Sequence, residues 1–510
     1  MVSSKILAPI ILWITAQGST AATIRRDNYP GIQWGPCDID TKGLPVQCAK
    51  LTVPLDYTDK SSNRTLDLDV IKYPAQKQPK RGSIILNFGG PGQDGLNSMI
   101  EYANIQGPIT GGYHDLVSWD PRGTRNTLLF DCWPGNLSSY YDTLGGTLAG
   151  AADTAKGRLW AEGQIQANKC YDQLKDTGDL VGMAFAARDM MSIVDALGED
   201  GMLRYWGISG GTAMGATVAA MFPDRVESVV LDGVMNSHQY YNSFGEPEMV
   251  ASSDGSWEEF MRGCITNSNN CALARNRTYE ELEVAMAQLW DTIRNNPPVY
   301  NGPLLPYAIV FDYTTFVDFV YNSLYRPTSF PELASVLDDV LHGNLETFAQ
   351  ALVTNGAPAQ VNAQAILGIR CGDKKPRTDA LADLEPVLDE YRRTSKWFWD
   401  WNWGAYVMPC AQWKFHAKER YEGDFNNIRT KNPVLFIGNS FDPVTPLVSA
   451  RNMSAGFEGS ALLTHNAHGH TSIAQASNCT NAAIQDYFLE GKLPAPGTVC
   501  EPNVPLFGTA

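Results

Sequence analysis

Short apolar runs rich in β-branched and aromatic residues recur along the chain, each cut off by Gly, Pro or Asp and separated by stretches of helical spacing. Ser83 to Phe88 runs into Gly-Gly-Pro-Gly, Asp115 to Trp119 into Asp-Pro-Arg-Gly, and Arg204 to Ile208 into Ser-Gly-Gly. Ser228 to Leu231, Pro433 to Gly438 and Ala461 to Thr464 are further strand candidates, and Arg188 to Leu197 is a helix candidate. That alternation predicts an α/β fold with a mainly parallel sheet flanked by helices. Between about 238 and 404 the rhythm changes to helical periodicity with few strand candidates, as over Tyr279 to Ile293 and Phe330 to Leu341. The expected organisation is a core in two parts, 35–237 and 405–510, with a helical cap, 238–404, inserted between them.

Composition narrows the class. Lys and Arg number 39 against 55 Asp and Glu, a formal charge of -16, which argues against nucleic acid or an anionic membrane as partner. At 44% hydrophobic and 18% charged, the chain is globular. Lys5 followed by apolar Ile6 to Ala16 and small residues to Ala22 reads as a signal peptide over 1–21, far short of the roughly 20 apolar residues of a membrane span. The expected product is secreted. Ten cysteines without a CxxC pair then read as disulfides. Nearest-neighbour pairing would join Cys37–Cys48, Cys132–Cys170, Cys264–Cys271, Cys371–Cys410 and Cys479–Cys500, although spacing alone does not fix connectivity. Asn63, Asn136, Asn276, Asn452 and Asn478 stand in N-x-Ser/Thr acceptors for glycosylation. Arg25-Arg26 reads as an ordinary exposed basic pair sooner than as a processing site.

The strongest chemical signal is Gly207-Ile-Ser209-Gly-Gly211, directly after a strand and before the helix-compatible run Thr212 to Met221. A serine on so tight a strand-to-helix turn is held out at the sheet's C-terminal edge, and the glycines make room for it. The competing reading is a simple helix cap. The following helix directs its dipole and the Gly210 amide toward negative charge forming on a carbonyl. A serine nucleophile needs a histidine and an orienting acid, in this architecture in the order Ser, acid, His. Asp442, in a Pro-rich loop after a late strand, is the acid, with Asp424 a weaker rival. His470, after the next strand, is the base, with His468 its rival. The cluster His465, His468, His470 also invites a metal reading, but no Cys or Glu-containing motif accompanies it, so no metal and no cofactor are expected. The loop Phe88 to Gly95 follows the first clear strand, where the second oxyanion donor belongs; a phosphate loop is disfavoured because the Lys-Ser/Thr of that motif is missing and Pro91 removes an amide.

Together these pieces carry a resemblance. Asn87 to Gly92, Trp119 to Gly123, Ala187-Arg-Asp189, Tyr205 to Gly211, Phe222 to Val226, Leu231-Asp-Gly233, Cys410 to Trp413, Asn439 to Pro446 and Gly469-His470 occur in the order seen in secreted tripeptidyl aminopeptidases and related prolyl aminopeptidases of the α/β-hydrolase fold, which the chain resembles. The resemblance implies Ser209 as nucleophile, Asp442 as acid, His470 as base and Gly90 with Gly210 as oxyanion donors. It also implies a helical cap that restricts entry to a free peptide N-terminus.

Two positions depart from the family pattern. Gly210 stands where Tyr is common, and Phe88 where Pro or His is common. A wider pocket beside the reacting carbonyl, admitting an ester or lactone, is the expectation that follows. For the substrate's ammonium the candidates are Glu246 and Glu248, at the start of the insertion, against a reading as plain acidic loop residues. The functional expectation is a serine exopeptidase releasing short N-terminal fragments from a peptide substrate. The alternative is a small-molecule esterase or lactonase with the same residues. A non-catalytic binding protein is disfavoured because all three candidate residues are present.

Overall fold

The computed structural model describes residues 31–135, 146–355 and 363–508. The signal-peptide segment and Asn136 lie outside the described residues. Among these, nine strands form one sheet in the order β1-β2-β4-β3-β5-β6-β9-β10-β11. They are β1 (Gln47–Pro54), β2 (Thr65–Tyr73), β3 (Ser83–Asn87), β4 (Asp115–Trp119), β5 (Leu203–Ile208), β6 (Val226–Asp232), β9 (Leu435–Phe441), β10 (Ala461–His468) and β11 (Val499–Cys500), while β7 (Val299–Tyr300) and β8 (Ile309–Val310) make a separate hairpin. β1–β2 and β2–β4 pair antiparallel, and every pairing from β4 to β11 is parallel. This is the α/β-hydrolase arrangement.

Helices used below are α1 (Gly95–Ile109), α2 (Ala155–Gln173), α3 (Met183–Ala196), α4 (Gly210–Met221), α5 (Ser253–Thr266), α6 (Tyr279–Asn295), α7 (Tyr313–Leu324), α8 (Phe330–Leu341), α9 (Ala363–Asp373), α10 (Leu447–Ala455) and α11 (Asn478–Glu490). β3 and β4 are buried at every position, as strands covered on both faces must be, which is why their central residues, Ile84 to Leu86 and Leu116-Val117, are apolar without alternation. One face of the sheet, with Ile85, Val117, Tyr205 and Val229, packs on α3 and α4. The other, with Ile84, Leu86, Trp206 and Ile437, packs on α1 and α11.

Between β6 and β9 a second core forms from Trp257, Phe260, Trp290, Phe316, Leu333 and their neighbours. α6 starts where it does because Thr278 and Glu281 form a reciprocal capping box, a device contributing about 1 kcal/mol. The insertion is not wholly separate: Ala365, Leu367 and Ile369 of α9 join the main core. All five nearest-neighbour disulfides are formed, and Cys371–Cys410 ties α9 to the chain that re-enters the core. Among the described residues no helix is long and apolar enough to cross a membrane. Asn63, Asn276, Asn452 and Asn478 are exposed.

Candidate active site

Ser209 joins β5 to α4 with φ 54° and ψ −124°, a left-handed conformation costly for a side-chain-bearing residue. Close packing enforces it. A Cβ on Gly211 would lie 2.6 Å from the Asn87 carbonyl oxygen, and one on Gly89 would lie 2.9 Å from the Ser209 Cβ. The Ser209 N–H donates to the Asp232 carbonyl at the end of β6 (3.0 Å). Thr212 closes the turn by donating its N–H (2.8 Å) and its hydroxyl (2.6 Å) to the Ser209 carbonyl. The serine is thus presented, half-buried, at the C-terminal edge of the sheet.

The loop after β3 lies directly against this turn. A Cβ on Gly210 would meet the Gly90 carbonyl carbon and the Pro91 nitrogen, each at 2.7 Å. The Gly90-Pro91 peptide therefore fills the place a side chain at 210 would take, and the wider pocket expected there is not formed. Phe88 likewise turns into the core, stacked on Tyr102 with centroids 5.5 Å apart. The Gly210 amide, first in its helix, has no intrahelical acceptor. Among the described residues neither it nor the Gly90 amide donates to another group.

Asp442 follows β9 and His470 follows β10, adjacent strands of the sheet. His470 Nδ1 lies 3.0 Å from Asp442 Oδ2 and 3.2 Å from Oδ1. The carboxylate is fully buried and accepts the N–H groups of Val444 (3.0 Å), Thr445 (2.9 Å) and Thr471 (3.0 Å) and the Thr445 hydroxyl (2.7 Å). Burial pushes its pKa up, but His470 and these donors outweigh burial and hold it below the ordinary carboxylate range. Thr445 was not singled out from the sequence; its Oγ1 also sits 3.0 Å from His470 Nδ1.

The serine turn and the histidine loop meet through Asp232. Its carbonyl holds the Ser209 amide, and its buried carboxylate accepts from the Ser472 N–H (2.9 Å) and hydroxyl (2.6 Å), two residues past His470. Burial, partly offset by Ser472, raises the Asp232 pKa to about 6. Among the described residues no hydrogen bond joins Ser209 to His470; such contacts are commonly long before substrate binds.

The rivals are engaged elsewhere. His468 stacks on Phe441 (4.6 Å between centroids) with Nδ1 at Gln475, and His465 is buried between Thr480 and the Gln475 carbonyl. Burial pushes both down to about 4. Asp424 is exposed and accepts from Asn426. Among the described residues no group of three or more His, Cys, Asp or Glu is placed to hold a metal ion.

Glu246 and Glu248 are committed to structural partners. Glu246 is buried between Arg370 Nη1 (2.6 Å) and Lys374 Nζ (2.9 Å), so two cations already neutralise it, and despite burial, which opposes the shift, they lower its pKa. Glu248 accepts from Ser449 (2.6 Å), Asn452 (2.8 Å) and Asn236 (3.1 Å), tying the insertion to α10. Glu246 therefore lacks the unpaired charge that an ammonium subsite requires, whereas Glu248 is held by neutral donors alone. Asp318 of α7 is likewise half-buried and in no ion pair among the described residues; burial, and then Asp400, raises its pKa to about 7. Its hydrogen-bond partner is Trp401, which stacks on Tyr321 at 4.1 Å; Tyr321 in turn donates its hydroxyl to the carbonyl of Pro443, next to Asp442.

Residues 396–500, which carry both Asp442 and His470, match the family model described as TAP-like protein. The chain is 25% identical to a tripeptidyl aminopeptidase of Streptomyces lividans, over 96% of this chain and 90% of that protein. It is 24% identical to the serine protease Hip1 of Mycobacterium tuberculosis, over 92% and 91%. It is also 25% identical to a carboxylesterase B of Mycobacterium tuberculosis, over 93% and 90%. The chain is a serine hydrolase on an α/β-hydrolase scaffold that resembles these proteins.

Proposed function

We propose that the chain is a secreted serine exopeptidase that releases short fragments from the free N-terminus of peptides, of the tripeptidyl or prolyl aminopeptidase type. The observation that carries the reading is the buried Asp442, held by four donors, against His470 Nδ1, on loops at the same sheet edge as the strained Ser209 turn, with β6 between. In the proposed reaction Ser209 Oγ attacks the amide carbonyl carbon while its proton passes to His470 Nε2. The oxyanion is met by the Gly90 and Gly210 amides. The C–N bond then breaks, His470 returns the proton to the departing amine, and water cleaves the acyl-enzyme by the same path.

The cap proposed over 238–404 supplies the N-terminal subsite, and Asp318 or Glu248, in place of the paired Glu246, receives the ammonium. Five disulfides suit an oxidising, extracytoplasmic setting, and Asn63, Asn276, Asn452 and Asn478 are proposed glycosylation sites. The second reading, an esterase on a small acyl group, is favoured by the likeness to the carboxylesterase.

Product masses from paired peptides, identical except for a free or acetylated N-terminus, separate the two. The exopeptidase cleaves only the free-amine member, releases a fragment of fixed length, and loses at least about 10³-fold in rate in Ser209→Ala. Cleavage of neither, beside Ser209-dependent hydrolysis of a simple ester, supports the esterase instead.

A further inference from the structure

The histidine loop is not held by the sheet alone. The His470 N–H donates to the carbonyl of Tyr325 (2.8 Å), the residue that caps α7 in the insertion. The Tyr325 ring meets the imidazole edge-on, with centroids 5.1 Å apart and planes at 68°. Gly469 completes the fit: with φ +84°, a Cβ there would lie 2.7 Å from both the Tyr325 carbonyl and Pro327 Cδ. The neighbouring acid loop is gripped the same way. The Pro443 carbonyl accepts from Tyr321 (2.9 Å) and Ser253 (2.6 Å), and the Phe441 carbonyl from Ser256 (3.0 Å), all insertion residues.

The geometry points to Tyr325 as a positioning residue for His470: its carbonyl fixes the loop's main chain and its ring fixes the plane of the imidazole, so the insertion sets the general base. The inference rests on His470 being that base, as proposed above. An imidazole held only at Nδ1 by Asp442 can still rock about its Cβ–Cγ bond, which tilts the ring plane, and the edge-on ring restricts that rocking. A sub-ångström error in Nε2 then becomes a loss of rate, with little change in substrate affinity.

The test is the rate at which a small fluorophosphonate labels Ser209, read with steady-state kinetics on a simple ester that is too small to reach the N-terminal subsite. Tyr325→Phe keeps ring and carbonyl and is expected within about threefold of wild type in both. Tyr325→Leu keeps an apolar side chain, smaller than the ring, and removes the aromatic edge. It is expected to lower labelling and kcat ten- to a hundredfold at constant KM and to move the lower apparent pKa of the kcat/KM profile. Tyr325→Leu at wild-type rate, or Tyr325→Phe as impaired as Tyr325→Leu, overturns the inference. Should Tyr325→Leu not fold, Tyr325→Met takes its place with the same expectation. Undiminished labelling in His470→Ala would overturn the assignment of the base itself, a result distinct from either Tyr325 outcome.

Discussion

The two halves of the candidate site are built on different principles. The serine half is local: a strand, a strained residue and a helix, packed so closely on Asn87, Gly89 and Gly90 that backbone touches backbone. The acid and histidine half is distributed. Asp442 and His470 stand on loops after β9 and β10, and those loops are fastened by Tyr321, Tyr325, Ser253 and Ser256, which come from the insertion. A nucleophile needs one strained conformation, which a rigid turn supplies. An acid–base pair needs two groups aimed together, and elements from both parts of the chain do the aiming.

Substitutions can break this contrast from either side. The largest effect is expected from Asp442→Asn, which keeps the shape but removes the charge at His470 Nδ1 and turns an NH2 toward buried N–H donors; kcat should fall about 10³–10⁴-fold and the melting temperature should drop, as stopped-assay kinetics and calorimetry would show. Gly211→Ala attacks the local half. Its Cβ at 2.6 Å from the Asn87 carbonyl should cost about 2–4 kcal/mol of stability by denaturant titration, since backbone there cannot retreat. Thr445→Val removes one of four donors to Asp442, and a lost hydrogen bond to a charged group corresponds to about a tenfold fall in kcat.

The smallest effect concerns Asp318. Its folded pKa of about 7 lies above that of an unfolded Asp, so the folded state binds the extra proton, and its contribution to stability is present at low pH and lost as pH rises through about 4 to 7. Asp318→Asn is therefore expected to raise the melting temperature by a few degrees at pH 7.5 and to change it little near pH 4, by scanning calorimetry. In the peptide pairs it should erase the preference for the free amine while leaving ester turnover intact.

What the sequence disclosed follows the same division. Gly207-Ile-Ser209-Gly-Gly211 is legible because the turn's sterics demand those residues at that spacing, and Asp442 and His470 because each lies beyond a late apolar run. β1 and β2 were missed: they pair antiparallel at the sheet's edge, with part-exposed positions that weaken the apolar signal. Glu246 misled for a different reason, since Arg370 and Lys374, which neutralise it, lie far along the chain. Tyr325 carries no motif at all, and its place exists only once α7 is laid against the histidine loop; Thr445 lies inside the Asn439 to Pro446 motif, but its hold on Asp442 shows only in the folded loop.

The most direct test of the central claim, that Ser209, His470 and Asp442 act as one unit, is tandem mass spectrometry of the protein after brief exposure to a fluorophosphonate. The account predicts a single adduct on Ser209, formed at least about 10³-fold more slowly in His470→Ala and in Asp442→Asn. An adduct on another residue, or labelling of Ser209 at full rate without His470, would contradict it.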